Sequence, residues 1–232
     1  MSFLRGLASP ETTRSLTGES VHLRAPLPQD YAAWAALRAQ SRTFLQPWEP
    51  LWARDELTRS AFRRRLRRYQ REMRADKAYP FFVFRAEDDV LLGGATLSNV
   101  RRGVAQTCSL GYWMGAPFAG QGYMSAAVRT LLTFAFAELR LHRVEAACLP
   151  HNAASRRLLE KLGFQAEGCA RRYLRIAGEW QDHLLFARLS SDPDVRREGG
   201  ADIHEVRGTA TAGDDTVWRP ELPGAPARNE TL

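Results

Sequence analysis

The sequence predicts an α+β fold, in which a central, mixed and mostly antiparallel sheet of six to seven strands carries helices on both faces. Two observations predict it. Most strand-like segments follow each other through short turns, which is typical of antiparallel hairpins. One strand–helix–strand unit over residues 105–148 instead requires a parallel pair with a right-handed crossover. The 232 residues, of which 44% are hydrophobic, suffice for one such domain with extensions.

The first third of the chain contains one predicted strand and two predicted helices. Residues 21–25 alternate apolar and polar side chains, and Pro26 ends this strand. Residues 30–39 carry large apolar side chains at helical spacing, and so do residues 58–76. Each of these two helices is therefore expected to bury one face.

The middle of the chain supplies a hairpin and the parallel unit. Residues 79–85 and 90–97 are strands on either side of an acidic turn, which predicts an antiparallel hairpin. The parallel unit consists of a strand over 105–114, a buried helix over 125–138 and a strand over 143–148. Because the carboxyl ends of parallel strands meet at one edge of a sheet, the loops that follow these two strands are expected to lie together.

The last predicted elements are a short helix and a second hairpin. Residues 152–161 form the helix, and Gly163 closes it as a C′ glycine. Strands over 168–175 and 181–189 are joined by a short turn. These two strands complete the predicted sheet.

The predicted domain, residues 19–189, lies between two extensions. Residues 1–18 are polar and without periodicity, which predicts a flexible N-terminal arm. Residues 190–232 are rich in Gly, Pro, Asp and Thr and cannot bury enough apolar surface to fold. We therefore expect a disordered C-terminal tail.

The composition excludes several classes of protein. No apolar run approaches the roughly 20 residues that span a bilayer, and the N-terminus lacks the apolar core of a secretory signal. The three cysteines do not fit a disulfide framework, and the five histidines lack metal-ligand spacing. We therefore expect a cytoplasmic protein without a membrane segment or a metal site.

Residues 111–124 run from a strand through a glycine loop into the buried helix. The first N–H groups of a helix lack partners inside the helix, and the helix dipole places partial positive charge there. Gly120 and Gly122 have no Cβ, so an anion such as a pyrophosphate can approach these donors closely. Taken alone, the pattern fits an ordinary strand–turn–helix connection equally well.

A second helix start follows the strand over 143–148. Asn152 occupies the N-cap position there, and Ser155 occupies position N3. Because the two strands are parallel, this helix start is expected at the same sheet edge as the glycine loop, where open α/β sheets bind ligands. Asn152 could instead serve only as a cap, and Ser155 only as a surface hydroxyl.

The stretch from Cys108 to Phe164 resembles the acyl-CoA N-acetyltransferase superfamily known as GNAT. Its glycine loop is similar to the pyrophosphate loop Q/R-x-x-G-x-G/A, and residues 152–164 are similar to the motif N-x-x-S…L-L-x-x-x-G-F. Two positions depart from this pattern. Ala119 stands where Gln or Arg is usual, and Met124 stands where Gly or Ala is usual.

Within this superfamily the chain resembles the RimJ/RimL-type ribosomal-protein N-terminal alanine acetyltransferases. Matching segments spread along residues 20–189 carry this resemblance: Phe44–Pro50, Leu97–Gly103, Leu110–Tyr112 with Gly120–Met124, and Gly178–His183. Several such segments are more specific than any one of them. The resemblance implies a GNAT-like fold and direct attack of a neutral amine on the thioester of acetyl-CoA.

The resemblance places acetyl-CoA, as co-substrate, in a cofactor cleft at the parallel βαβ unit. Its expected contacts are Met114, Gly120, Gln121, Gly122, Tyr123, Met124 and Asn152. Ser155 is the candidate for protonating the departing thiolate, since a thiol pKa near about 8.5 needs only weak acid assistance. Glu49, which prolines hold in place, is the candidate general base or substrate contact, or is simply exposed. Trp48 and Asn99 are expected to contact the acceptor.

The expected function is acetylation of a protein N-terminal α-amino group, with a ribosomal-protein alanine as acceptor, by a monomer or homodimer. The alternatives are acetylation of a small-molecule amine and a non-catalytic acyl-CoA-binding regulatory module. A dinucleotide-dependent enzyme is disfavoured because only one βαβ unit is present. The arginines of residues 58–76 surround the apolar stripe on every other face, which favours a solvated helix. Nucleic acid is therefore not expected as a direct ligand.

Overall fold

The computed structural model describes residues 15–193, which contain eight strands and five α-helices. The strands are β1 (Ser15–Thr17), β2 (Val21–Arg24), β3 (Tyr79–Arg85), β4 (Leu91–Arg101), β5 (Thr107–Met114), β6 (Arg143–Cys148), β7 (Gln165–Ile176) and β8 (Glu179–Leu189). The helices are α1 (Tyr31–Gln40), α2 (Arg42–Leu45), α3 (Arg59–Arg74), α4 (Tyr123–Thr133) and α5 (Ala153–Lys161). Short 3₁₀ turns lie at Pro28–Asp30, Gln46–Trp48 and Ala116–Phe118.

All eight strands belong to one sheet, in the order β1-β2-β3-β4-β5-β6-β8-β7. Neighbouring strands pair antiparallel, with β5 and β6 as the parallel exception. The predicted α+β fold with one parallel unit is therefore confirmed. The sheet has more strands than the six to seven that the sequence indicates, because a short strand extends it at the β2 edge.

That additional strand, β1, lies inside the segment for which the sequence predicts a flexible arm. Leu16 pairs with Leu23 and is buried, while its neighbours on β1 are exposed. One buried leucine between two exposed polar residues is enough to attach this short segment to the edge of β2, which corrects the boundary of the predicted arm. Residues 1–14 lie outside the described residues.

At the other end of the domain, the first residues after β8 still fold back on it. The N–H of Ser190 donates to the carbonyl oxygen of His142 at 2.9 Å. The Asp192 carboxylate accepts a hydrogen bond from the N–H of Leu189 at 2.8 Å. The predicted disordered tail over residues 190–232 therefore does not begin at Ser190. Residues 194–232 lie outside the described residues.

Helices cover both faces of the sheet, and strand alternation divides the core between them. Phe81 and Val83 of β3 point to the side that also holds α4 and α5. Phe82 and Phe84 point to the opposite side, where α1 and α3 pack. α4 continues into a π turn over Phe134–Glu138. Within residues 15–193, no helix is long and apolar enough to cross a membrane.

The parallel pair β5–β6 separates part-way along its length. Its pairing runs from Thr107 opposite Arg143 to Leu110 opposite Ala146. Beyond this point β5 continues to Met114 against β4, while β6 continues against β8. A gap therefore opens between the carboxyl ends of β5 and β6, and the last residues of β5 border it.

β4 and β5 approach each other closely beside the gap, which Gly93 permits. A Cβ on Gly93 would overlap the carbonyl oxygen of Trp113, whereas a Cβ on Gly111 would meet no atom within 4 Å. Gly93→Ala is therefore expected to destabilise the protein by about 1–3 kcal/mol, the usual cost of overpacking. Gly111→Ala is the matched control in β5 and should be neutral or slightly stabilising. Urea unfolding of both variants measures the difference, and equal stabilities would contradict the close approach.

Candidate active site

The N-termini of two helices border the gap between β5 and β6. α4 begins after Gly122 in the loop that follows β5, and α5 begins after Asn152 in the loop that follows β6. Because β5 and β6 are parallel, both loops leave the sheet at the same edge. The structure thus places the two helix starts together, as the sequence predicts.

The glycine loop presents an open surface at the start of α4. Gly120 and Gly122 adopt left-handed conformations with φ of +77° and +85°, and a Cβ on either residue would meet no atom within 4 Å. In the described part of the chain, no side chain caps α4 at Gly122. Its first N–H groups are therefore available to an anion. Gln121 folds back instead, since its Nε2 donates to the carbonyl oxygen of Pro117 at 2.8 Å.

The side chains of Met124 and Tyr123, in the predicted cofactor loop, are buried or half-buried. Met124 is buried and packs in the core beneath the loop, so only its backbone can face a ligand. Tyr123 is half-buried against the same core. The departure from the family pattern at Met124 therefore adds volume to the core and leaves the loop surface open.

A hydrogen bond spans the gap between β5 and α5. The hydroxyl groups of Tyr112 and Ser155 lie 2.7 Å apart, and either one can be the donor. Burial is the main reason that the pKa of Tyr112 is raised to about 12, an effect that the hydrogen bond to Ser155 partly opposes. Tyr112 therefore keeps its proton throughout the neutral pH range.

Cys148, at the end of β6, lies beside the same serine. Burial raises the pKa of its thiol, and the neighbouring Ser155 hydroxyl acts in the opposite direction. A thiol with a raised pKa is mostly protonated at neutral pH and is a poor nucleophile. This supports a packing role for Cys148 and gives no support to an acyl carrier.

Asn152 and Met114 both lie beside the gap, Asn152 at the start of α5 and Met114 at the end of β5. The Asn152 side chain accepts a hydrogen bond from the N–H of Ser155 at 3.0 Å, so its capping role is observed. Met114 ends β5 opposite Gly93, and its backbone lies at the border of the gap. Contact of either residue with a cofactor stays a prediction.

The predicted acceptor contacts Trp48 and Asn99 lie in different places. The ring of Trp48 is 5.4 Å from that of His151, next to the start of α5, so Trp48 is close to the gap. Asn99 is exposed at a bulge in β4, and its Nδ2 donates to Ser109 Oγ at 3.3 Å. Ser109 belongs to the part of β5 that is still paired with β6. The structure therefore does not bring Asn99 to the gap.

Glu49 is held by a buried arginine. The two terminal nitrogens of the Arg38 guanidinium donate to the two carboxylate oxygens of Glu49, each at 2.7 Å, and Trp52 Nε1 adds a third hydrogen bond at 2.8 Å. The guanidinium also lies 4.3 Å from the ring of Trp52 and 4.9 Å from that of Trp113. These three hydrogen bonds occupy both oxygens of the carboxylate and fix its orientation. Its contacts favour a structural role over that of a general base.

The same pair connects three separate elements. Arg38 belongs to α1, and Glu49 lies in the loop that follows the 3₁₀ turn at Gln46–Trp48. The carbonyl oxygen of Glu49 accepts a hydrogen bond at 2.9 Å from the N–H of Ala177, in the turn between β7 and β8. The Arg38–Glu49 pair therefore fixes the loop against both the helix and the hairpin.

A cavity of about 370 Å³ lies on the α1–α3 side of the sheet and reaches the gap. Aromatic rings and two arginine–carboxylate pairs form most of its lining: Trp34, Trp52, Tyr69, Phe82, Trp113, Arg38–Glu49 and Arg65–Glu56. Gly111 and Tyr112 of β5 also line it. Because Tyr112 also contacts Ser155, the cavity leads to the hydrogen bond in the gap from the opposite face of the sheet.

A larger cavity of about 790 Å³ lies away from the gap, between β1, α4 and the end of β8. None of the predicted site residues is among its described lining residues. Among residues 15–193, no group of three His, Cys, Asp or Glu side chains is arranged to hold a metal ion.

Sequence reasoning missed two residues of this site, Tyr112 and Arg38. A signal for Tyr112 is present, since strand alternation places it on the same face as Leu110 and Met114. A tyrosine hydroxyl on an apolar face at the end of a parallel strand needs a polar partner. Arg38 gives no comparable local signal, because its partner Glu49 depends on how the loop packs.

Comparison with known proteins agrees with this geometry. Residues 20–165, more than half of the chain, match the family described as acetyltransferase (GNAT) domain. The chain belongs to the GNAT family of acetyltransferases. The family and the acyltransferase class that the sequence predicts are therefore confirmed.

Two bacterial relatives of this GNAT chain match it over most of its length. A Bacillus subtilis protein described as a probable N-acetyltransferase, YjcK, is 37% identical over 179 residues, which cover 77% of this chain and 99% of that protein. The [ribosomal protein uS5]-alanine N-acetyltransferase of Escherichia coli is 36% identical over 168 residues, which cover 72% of this chain and 87% of that protein.

Solved structures of acetyltransferases are also similar to this chain. RimJ of Mycobacterium smegmatis in complex with CoA-disulfide has a TM-score of 0.73 at 31% identity and covers 81% of this chain and 92% of its own. The ribosomal-protein-S5-alanine acetyltransferase of Vibrio fischeri has a TM-score of 0.72 at 30% identity, with coverages of 77% and 98%. This GNAT chain is therefore related to ribosomal-protein alanine acetyltransferases.

Replacing Glu49 distinguishes a structural carboxylate from a general base. Glu49→Gln is expected to lower the free energy of unfolding by about 2–3 kcal/mol, somewhat less than for a fully buried pair, because Arg38 loses its counter-charge. The KM for the acceptor should rise, while kcat and the shape of its pH profile should change little. A general base would instead show a fall in kcat of roughly 10²–10⁴.

The matched control for this substitution is Asp88→Asn. Asp88 also pairs with an arginine through two hydrogen bonds, but the pair with Arg85 is exposed. This variant should unfold almost as the wild type does and should keep the acceptor KM. Urea unfolding and steady-state kinetics on both variants test the role of Glu49, and a large loss of kcat with an unchanged KM would refute the structural role.

Proposed function

We propose that this GNAT protein is cytoplasmic and transfers the acetyl group of acetyl-CoA to the N-terminal α-amino group of a protein, with a ribosomal-protein alanine as acceptor. The observation that carries the proposal is the hydrogen bond between Tyr112 and Ser155 in the gap. The glycine loop borders this gap from one side. The cavity of about 370 Å³, which is lined mainly by aromatic rings and arginine–carboxylate pairs, reaches it from the opposite face of the sheet. Two substrates can therefore meet at the hydroxyl pair.

The residues around the gap fit acetyl-CoA. When bound, acetyl-CoA supplies the acetyl group as a thioester. The open positions of Gly120 and Gly122, with the free N–H groups at the start of α4, would hold its pyrophosphate. The β5 backbone near Met114 would contact the pantetheine arm and polarise the carbonyl, as oxyanion donors do. The complex of the Mycobacterium smegmatis RimJ structure with CoA-disulfide supports this assignment.

The hydroxyl pair supplies a proton to the leaving sulfur. Because burial raises the pKa of Tyr112 to about 12, its phenol stays neutral and can donate to Ser155 Oγ. The proton of Ser155 is then free to point into the gap, toward the thiolate. Weak acid assistance suffices there, since a thiol has a pKa of about 8.5. Ser155 is therefore the proposed proton donor, and Tyr112 positions its hydroxyl group.

The acceptor amine needs little help to lose its proton. An α-amine has a pKa of about 8, so roughly a tenth of it is neutral at pH 7. Glu49 is committed to Arg38 and Trp52. We therefore assign removal of the amine proton to water, from which Ser155 regains the proton that it gives to the sulfur. Glu49 has the task of shaping the cavity of about 370 Å³, which we call the acceptor cavity.

The charge of the cavity favours a peptide over a polyamine. Its carboxylates, Glu49 and Glu56, are each paired with an arginine that also lines the cavity. A polyamine carries several positive charges and needs carboxylates that are not already neutralised. Aromatic walls with no net charge suit the small apolar side chain and the neutral backbone of a protein N-terminus. The related alanine acetyltransferase of Escherichia coli supports the same acceptor class.

A panel of acceptors tests the proposal. Purified protein with labelled acetyl-CoA is offered a peptide with a free N-terminal alanine, the same peptide with a blocked N-terminus and an internal lysine, and a polyamine. Label is expected only in the first. Transfer only to the polyamine would establish a small-molecule enzyme. Absence of transfer with retained CoA binding would establish a regulatory module.

The pH profile tests the hydroxyl pair. With the alanine peptide, kcat/KM should rise with a midpoint at about pH 8, as the amine loses its proton, and stay level from about pH 9 to about pH 10. No falling limb is expected in this range, because the raised pKa of Tyr112, about 12, keeps the phenol neutral. A fall between about pH 8 and 10 would contradict this role.

Two variants complete this test. Ser155→Ala should lower the plateau by roughly a hundredfold without moving the rising limb. Tyr112→Phe keeps the ring and removes the hydroxyl group, and its loss should be smaller, because Tyr112 acts through Ser155. Initial rates over the full pH range give both results, and an unchanged plateau in Ser155→Ala would remove Ser155 from the mechanism.

A further inference from the structure

The outer face of α3 carries an unusually dense positive charge. Its sixteen residues, Arg59–Arg74, include eight arginines and a single acidic residue, Glu72. The apolar residues Phe62 and Leu66 are buried against the sheet and leave the remaining faces to the arginines. The spacing alone is typical of a solvated helix, so the contacts of each arginine decide whether the charge is balanced within the protein.

Several of these arginines have partners within the protein. Arg64 pairs with Asp55, Arg65 with Glu56 and Arg68 with Glu72. The guanidinium of Arg59 lies 4.5 Å from the ring of Tyr31. The charges of these four arginines are therefore balanced by carboxylates or stabilised by contact with an aromatic ring.

Three other arginines form a line without such partners. Arg63, Arg67 and Arg71 are exposed, and among residues 15–193 none of them has a carboxylate partner. They are spaced four residues apart, so they lie along one side of α3 at intervals of about 6 Å. We call these three residues the arginine stripe. Like charges at this spacing repel each other, and a polyanion would relieve that repulsion.

The arginine stripe lies on the side of α3 that faces away from the cavity of Trp34, Trp52 and Trp113. Arg65 and Tyr69, which line that cavity, follow Arg63 and Arg67 by two residues and so lie about 200° further around the helix. A partner bound to the stripe would therefore leave the cavity open to the acceptor.

The regular spacing favours a nucleic-acid backbone over an acidic protein. A phosphodiester chain carries one charge at every nucleotide, and guanidinium groups bind phosphate through paired hydrogen bonds. The acidic side chains of a protein are irregularly spaced. In the described part of the stripe no exposed aromatic residue alternates with the arginines, so the stripe suits the backbone of a duplex rather than stacked single-stranded bases.

We propose that Arg63, Arg67 and Arg71 of α3 form a docking surface for the phosphate backbone of duplex RNA. The choice of RNA over DNA rests on the proposed function, because a ribosomal-protein acceptor is found close to RNA. This surface would hold the enzyme beside its acceptor, while the chemistry takes place in the gap.

The experiment measures binding of a short duplex RNA to the full-length protein over a range of salt concentrations. In the stripe variant, Arg63, Arg67 and Arg71 are each replaced by Gln. In the control variant, the partnered residues Arg59, Arg64 and Arg68 are each replaced by Gln, which removes the same charge from the same helix. The stripe variant should bind roughly tenfold or more weakly at about 0.15 M salt. Its slope of log K against log salt should be shallower by about 2–3, and the control should change much less.

Other outcomes would overturn the proposal. If the wild type does not bind the duplex RNA, or if both variants lose affinity equally, the stripe is not a docking surface. Equal affinity for duplex DNA would overturn the choice of RNA, and tighter binding of polyglutamate would identify an acidic protein surface instead. Circular dichroism confirms that both variants are folded. Binding is measured without acetyl-CoA or acceptor, so failure of the proposed acetyl transfer would leave this result unaffected.

Discussion

The separation of β5 from β6 beyond Leu110 and Ala146 is the constraint on which the rest of the site depends. Each strand keeps its other neighbour, β4 or β8, so the sheet stays intact while the gap opens within it. The gap brings the starts of α4 and α5 to one edge and lets the hydroxyl groups of Tyr112 and Ser155 meet. It also gives the cavity on the opposite face access to the same point.

The buried Arg38–Glu49 pair is the second organising interaction. Arg38 is almost fully buried, and its Nε has no hydrogen-bond partner within residues 15–193. Its positive charge is therefore balanced by the carboxylate of Glu49 and stabilised by the faces of two indole rings. Such a charge is costly without its partner. The pair therefore holds the loop that carries Trp48 in one position, near the start of α5. In the proposed mechanism, the pair shapes the acceptor side of the site and takes no part in proton transfer.

Local patterns predicted most of the fold and the outline of the site. The left-handed glycines, the cap at Asn152 and the parallel strands are encoded over a few residues each, and the structure has all of them. The contact between Tyr112 and Ser155 joins residues 43 positions apart and depends on how far the strands diverge. The partner of Glu49 likewise depends on helix packing. Neither contact has a local signature, so sequence reasoning chose Ser155 for its position and could not identify the partners of Glu49.

The burial of Met124 has a consequence for the relation between binding and folding. Its side chain is part of the core, while its backbone belongs to the first turn of α4 at the glycine loop. The small residue usual in the family at this position is thus not required for an open loop surface. A ligand that orders this turn also holds a core residue in place, so occupancy of the loop and global stability are thermodynamically linked. Cofactor supply in the cell would then set the lifetime of the folded enzyme as well as its rate.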